Sequence, residues 1–476
     1  MKSAECVPDY ARLRPGIAPG RGVAETAGPY ATSVGWTERH LQCVWSDAAL
    51  RPAGLATLDR EPVEVEDPGR WNLEAGPDFL DAVLRVGPER RRIVGDVEVH
   101  IRPADWSQHG HGADARYGRV AAHVTYFPSA TPPEGLPDRC LRVALRDALL
   151  ARPAFAFEDI DVSAYPHAVL PLTPRPCAAA LGGDPDRARG LLASAGACRF
   201  GQRCLRIGTR IETGAEPRQL FYEEFMAALG YKQNQAAFRQ LAHALPLASW
   251  TTDRPAEFHY ARLLGAAGLL PAADGVSDDA ARRFLRALWD TWWRDPAPAP
   301  PAAIRWRLDG LRPANHPRRR LAAAAAVFAD GDGVDATLRA LAATAPDEFH
   351  AAVAAWMRQR AVMPHWESRQ TLTGPAGERP AALLGAARTA ALCNNVIAPF
   401  LAVTAGLPAE IVDHLPPEED SEPIRATAAR LLGRDHNPVL YSRSGRLQQG
   451  LLQIRQDFCL NARTGCAGCG LADSLR

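Results

Sequence analysis

Between Asn72 and Tyr126 the sequence crowds together more potential metal ligands than any other stretch of the chain. Asp78, Asp96, Glu98 and His100 come first, followed by Asp105, His109, His111, Asp114 and His123. Carboxylates suit hard divalent cations and imidazoles suit zinc-like ones, so this composition allows metal-assisted activation of water, with a carboxylate or a neutral imidazole as base. A solvated polar surface carries the same residue types. The two readings separate on whether the backbone brings these side chains to one face.

The elements that must position them are strands. Gly76-Pro77 is turn punctuation, and Asp81 to Val86 is β-prone, which puts Asp78 at a strand entrance. After the charged turn Gly87 to Arg92, residues Ile93 to Ile101 alternate. Ile93, Gly95, Val97, Val99 and Ile101 take one face, and Val94, Asp96, Glu98 and His100 the other. Two adjacent antiparallel strands of this kind bring an Asp and a Glu close enough to share Mg²⁺ or Mn²⁺.

Pro77-Asp78 followed by Glu98-Val99-His100 resembles the PD-(D/E)xK nucleases, with histidine where that pattern has lysine. The resemblance implies a restriction-endonuclease-like fold in which Asp78 and Glu98 bind the metal. His100 takes the lysine's place as a water-positioning base in its neutral form, as an additional ligand, or as the mark of a site without activity. In those folds a helix ahead of the first strand often lends a glutamate to the metal. Trp36 to Trp45 is such a helix signal, with Leu41, Val44 and Trp45 at core spacing. Glu38 is therefore either a third metal ligand or an acidic residue that favours the helix N-terminus.

The strings GPDF (76–79), GDVEVH (95–100) and DW-x2-HGH-x2-D-x2-Y-x2-V-x2-HV (105–124) also resemble a whole-protein bacterial family catalogued as domain of unknown function 2851. The likeness runs from about Glu38 to the C-terminal cysteines. It implies no particular activity. Asp96, Asp105, His109, His111, Asp114 and His123 are read as groups surrounding the metal or contacting substrate.

The whole chain has 476 residues, 47% of them hydrophobic, enough for two or three domains with a sizeable core. Net charge is only +1, so binding of nucleic acid needs a local basic patch rather than a global field. Lys2 and Lys232 are the only lysines, a coding bias toward arginine rather than a functional signal. Residues 1–30, rich in Gly, Pro and Arg, are expected to be flexible. They show no signal peptide, and no run of apolar residues is long enough to span a membrane, so the expected location is the cytoplasm. There, ten cysteines are better metal ligands than disulfides.

Further strand signals at 63–65, 119–127 and 140–145 complete a mixed or antiparallel sheet with a flanking helix. The expected α/β domain covers 31–175 and ends in the Pro-rich stretch 165–177; 176–476 reads as mainly α-helical. In that second domain Arg199, Arg203, Arg206 and Arg210 share one helical stripe, either a solvated face or a ladder of phosphate contacts. A helix pair breaks near Gly230. A second basic cluster spans Arg305 to Arg320, and Trp289, Trp292 and Trp293 read as core aromatics.

The chain ends with Cys459-x6-Cys466-Ala-Gly-Cys469, a structural-metal signal for zinc or an iron–sulfur cluster, with free thiols as the alternative. The missing fourth ligand has four candidates: Cys177, Cys204, Cys393 and His436. Together these readings lead to a Mg²⁺- or Mn²⁺-dependent nuclease acting on DNA or RNA. The alternatives are a zinc hydrolase of small molecules using His100, His109, His111 and His123, and a catalytically silent nucleic-acid-binding or scaffold protein.

Overall fold

The computed structural model describes residues 10–13, 36–167, 176–251, 253–297, 304–461, 466 and 469–476. The expected strands form where β-branched residues alternate with polar ones, and two short strands that the sequence did not signal, Leu55–Ala56 and Arg70–Trp71, join them. They are β1 (Leu55–Ala56), β2 (Pro62–Asp67), β3 (Arg70–Trp71), β4 (Phe79–Val86), β5 (Arg91–His100), β6 (Val120–Thr125) and β7 (Leu141–Ala144). They make one mixed sheet in the order β1-β2-β4-β5-β6-β7, with β3 also on β4. The pairs from β1 to β5 are antiparallel, whereas β5-β6 and β6-β7 are parallel.

The sheet curls until its ends meet. Thr57 bridges to Val143, and the Leu58 N–H donates to the Arg142 carbonyl at 2.9 Å. This near-barrel is what the structure supports of the expected α/β fold. Helix Glu38–Ser46 packs on β5 and buries Leu41, Val44 and Trp45. Its first turn is closed by Thr37, whose backbone N–H donates to His40 Nδ1 at 2.9 Å.

The chain divides into two compact units, neither of them a single stretch of sequence. The sheet unit is Trp36–Gly182 together with Ile454–Arg476; the helical unit is Met1–Gly35 together with Gly183–Gln453. The boundary near residue 175 thus falls a few residues later, and the cysteine-bearing C-terminal segment belongs with the sheet. Of residues 1–30, only Tyr10–Leu13 is described, a short helix whose Tyr10 is fully buried and donates its backbone N–H to Ser194 Oγ at 3.1 Å. The rest of that stretch, expected to be flexible, lies outside the described residues, as does most of the Pro-rich boundary.

The helical unit contains the expected pair Pro217–Leu229 and Tyr231–Ala244 on either side of Gly230. The stretch expected to be a helix from Cys198 starts earlier and runs as Pro185–Glu212, with Asp184 accepting from the backbone N–H groups of Asp186 and Arg187 at its start. Ala386–Thr404 is long and apolar enough to cross a membrane, and 61% of that stretch is buried inside the protein. Trp289 and Trp292 are partly buried against the core, whereas Trp293 is 72% exposed, against expectation.

Candidate metal centre

Strands β4 and β5 bring together the residues whose spacing first drew attention. Asp78 is 1% exposed, Glu98 2% and His100 0%. Asp78 is fully engaged: Gln42 Nε2 donates to Oδ1 and the Val99 N–H to Oδ2, each at 2.9 Å, while its own N–H donates to Glu98 Oε2 at 3.0 Å. Glu38 sits one helical turn before Gln42, and its charge is felt at Glu98. Asp78 and Glu98 therefore meet, and Glu38 is near enough for its charge to raise the Glu98 carboxyl.

The free oxygen of Glu98 faces histidines. Its Oε1 lies 3.3 Å from His100 Nε2 and 3.2 Å from His111 Nε2. Neither of these buried nitrogens makes a hydrogen bond. His109 joins them, the three imidazoles offering nitrogen atoms within 4.8 Å of one another. His100 is held from behind, its Nδ1 2.9 Å from His123 Nε2. His111 is sandwiched by rings, stacked on Tyr117 with centroids 3.9 Å apart and on His100 at 5.2 Å. His100 is deeply buried and His109 exposed, so the cluster opens to solvent on the His109 side.

Local sequence explains how a loop contributes two ligands. In His109-Gly110-His111, Gly110 has φ +72°, a left-handed conformation that costs glycine little, and it turns residues two apart toward one point. Gly112 then lies against Gly135 so closely that a Cβ on either would come within 2.8 Å of the other's Cα, which pins the loop. Asp105 accepts from the Arg102 N–H at 2.8 Å and opens the short helix that precedes the loop.

Electrostatics follow from burial. Desolvation pushes the Glu98 carboxyl well above its usual range, and the Glu38 charge adds to this. Desolvation also lowers all four imidazoles: His100 strongly, with its three histidine neighbours adding to the effect, His109 and His111 more mildly, and His123 to about 4. At neutral pH these are neutral rings with free lone pairs, the form that ligates metals. Tyr117 is likewise held protonated by burial and by the carboxylates.

Two of the predicted surrounding residues make structural hydrogen bonds. Asp96 accepts the Asp81 N–H at 3.0 Å and so holds a bulge in β4 where Asp81 adopts φ +60°. Asp114 caps the next turn and pairs with Arg116, which pulls its carboxyl down to about 2. Sequence reasoning missed Gln42. Its signal was a polar residue between Leu41 and Val44, one turn from Glu38 on a helix otherwise buried.

The arginine stripe expected to contact phosphates is turned inward and already occupied. Arg206 and Arg210 bind Glu224, at 2.7 and 3.2 Å, and Arg210 also binds Glu223 at 2.7 Å. Arg199 donates to Gln449 and Gln453, at 2.9 and 3.0 Å, and Arg203 to Gln449 at 3.0 Å. The physical reason is that Glu223 and Glu224, buried on the following helix, need cations. In the second basic cluster Arg319 and Arg320 similarly donate to main-chain carbonyls, among them Ala381 and Leu383 at 2.8 and 3.1 Å.

Residues 38–410 match a family described as protein of unknown function (DUF2851), and the chain belongs to that family. Neither the curated proteins nor the solved structures contain a match to it.

Proposed function

We propose that the protein is a metal-dependent hydrolase whose cation is held by Glu98 Oε1 and the imidazoles of His100, His109 and His111. The observation that carries this reading is the spacing at Glu98. A tetrahedral cation with bonds of about 2.0–2.1 Å sets its ligand atoms about 3.3–3.4 Å apart, and Glu98 Oε1 stands 3.3 and 3.2 Å from two nitrogens that make no hydrogen bond. Such a donor set favours Zn²⁺ or Mn²⁺ over Mg²⁺. The metal would supply Lewis acidity and a more acidic bound water.

The chain's own groups do the rest. His123 fixes the orientation of His100, as outer partners of ligating histidines generally do. Glu38, the least buried of the three carboxylates, is the base assigned to accept a proton from water. Asp78, locked by Gln42 and Val99, positions Glu98 through its backbone N–H.

Phosphodiesters of DNA or RNA are the substrate class we attach to this site, supported by the pairing of Asp78 with Glu98 on adjoining strands, which a PD-(D/E)xK arrangement also has. On this reading the protein acts in the cytoplasm. The arginines that contact the backbone of the nucleic acid must then lie elsewhere than on the Arg199–Arg210 stripe.

The test combines metal analysis of the purified full chain with a cleavage panel of single- and double-stranded DNA and RNA and a chromogenic phosphodiester. Zn²⁺, Mn²⁺ and Mg²⁺ are supplied in turn, and wild type is compared with Glu98→Gln and His111→Ala. Metal bound by wild type but not by the variants, with activity lost in parallel, supports the reading. A folded wild type with no affinity for these cations would sink it. Metal binding with turnover of small esters but no nucleic acid would keep the hydrolase and discard the nuclease.

A further inference from the structure

The cysteines near the C-terminus share no residue with the histidine cluster. The segment that carries them, Ile454–Arg476, belongs to the sheet unit although the helical unit's sequence separates it from the rest of that unit. Its last helix, Gly470–Ser474, packs against helix Pro176–Leu181. Cys177 is the second residue of one of these helices, and Cys469 is the residue that caps the other. The Cys177 thiol lies within electrostatic reach of both Cys466 and Cys469, and Cys469 within reach of Cys466. The Cys469 N–H donates to the Cys466 carbonyl at 3.3 Å, closing the tight turn typical of a Cys-x2-Cys knuckle. Cys459 ends a π-helical turn, Arg455–Cys459, a distortion found most often at functional sites.

We infer that Cys177, Cys459, Cys466 and Cys469 form a tetrathiolate metal centre that fastens the C-terminal segment to the sheet unit. Of the fourth-ligand candidates, Cys393 is fully buried within the helical core, Cys204 donates to the Pro399 carbonyl there, and His436 also lies in the helical unit. Only Cys177 shares a unit with the other three. These four thiols differ from packing cysteines such as Cys43 and Cys393, each of which is buried singly: all four are half-buried, gathered in one unit and free of disulfides. Soft thiolate ligands in a set of four select Zn²⁺ or an iron–sulfur cluster; a single zinc needs the four sulfurs about 3.8 Å apart, whereas a cluster holds them farther from one another.

The experiment uses the full chain purified without oxygen. Iron, zinc and acid-labile sulfide are measured, and cysteine alkylation is mapped by mass spectrometry before and after a strong chelator. Cys177, Cys459, Cys466 and Cys469 should be protected as a group and become reactive together when the metal leaves. Zinc without visible absorbance identifies a mononuclear site; iron with sulfide and broad visible absorbance identifies a cluster. The Cys177→Ser variant should lose that metal while keeping the cation at the histidines. Because that variant is at risk of misfolding, the wild-type labelling decides on its own. Alkylation of these thiols unaffected by the chelator, or a disulfide among them, overturns the proposal.

Discussion

Two buried polar clusters in this chain are built from similar residues and reach opposite electrostatic states. In the helical unit, Glu224 is surrounded by Arg206, Arg210 and Arg239, at 2.7, 3.2 and 2.9 Å. Burial alone would raise its carboxyl, but the three guanidinium groups pull it far below the usual range. In the sheet unit, Glu98 is equally buried, and there its neighbours are imidazoles and another carboxylate. Its carboxyl is driven up and the histidines down. The first cluster is satisfied by the protein itself. In the second, two buried histidine nitrogens beside Glu98 make no hydrogen bond, and this contrast separates a structural network from a candidate site.

The sharpest way to break the comparison is to remove a carboxylate from the satisfied cluster. Glu224→Ala strands buried arginines and should lower the unfolding free energy by about 3–5 kcal/mol, read by urea denaturation. A change near zero would mean that water reaches these guanidinium groups and that the contrast is false.

The next effect concerns the unsatisfied cluster. His123→Phe removes the partner of His100 Nδ1 without touching a proposed ligand. Metal affinity, measured by competition with a chelating dye, should fall about 10–100-fold, as it does when outer partners of ligating histidines are lost. Unchanged affinity would remove His100 from the centre.

Acid should act on the helical unit in a defined window. Desolvation of Glu223 is outweighed by hydrogen bonds from His243 and Gln219 and by Arg210, which leave its carboxyl at about 2. A carboxyl depressed in the folded state contributes stability above its unfolded pKa of about 4.3, lost as pH falls toward the folded value. Limited proteolysis with an acid-tolerant protease should therefore show 217–245 becoming cleavable between roughly pH 4 and 2. His243→Ala should move that onset to higher pH.

The smallest effect is at Arg199. Its two glutamine contacts make Arg199→Ala a loss of about 1 kcal/mol. The salt dependence of any nucleic-acid binding should stay as in wild type, because no phosphate contact is removed. A shallower salt slope in the variant would restore the phosphate-ladder reading.

The sheet was legible in the sequence through its alternating residues, which put Asp96, Glu98 and His100 on one face of β5; from Gly95 to His100 both faces are buried, which alternation does not record. The grouping of Asp78 with Glu98 followed from strand adjacency. His109 and His111 were legible as candidate ligands of the alternative zinc site, but their convergence on His100 was not, since it depends on the left-handed turn at Gly110 and on the packing of Gly112 against Gly135. The arginine stripe was visible, but its partners were not: Glu223 and Glu224 sit on the next helix, and periodicity within one helix says nothing about what its neighbour presents. Cys177 was one fourth-ligand candidate among several until the contact between two short helices singled it out.

The discontinuity of the sheet unit has a consequence for how the protein is made. At roughly 5–20 residues per second, the 183–453 segment takes on the order of tens of seconds to synthesise. Throughout that time helix Pro176–Leu181 waits without Gly470–Ser474, its partner. The larger part of the sheet unit is thus made before the 183–453 segment, and the unit closes only after that segment has been made.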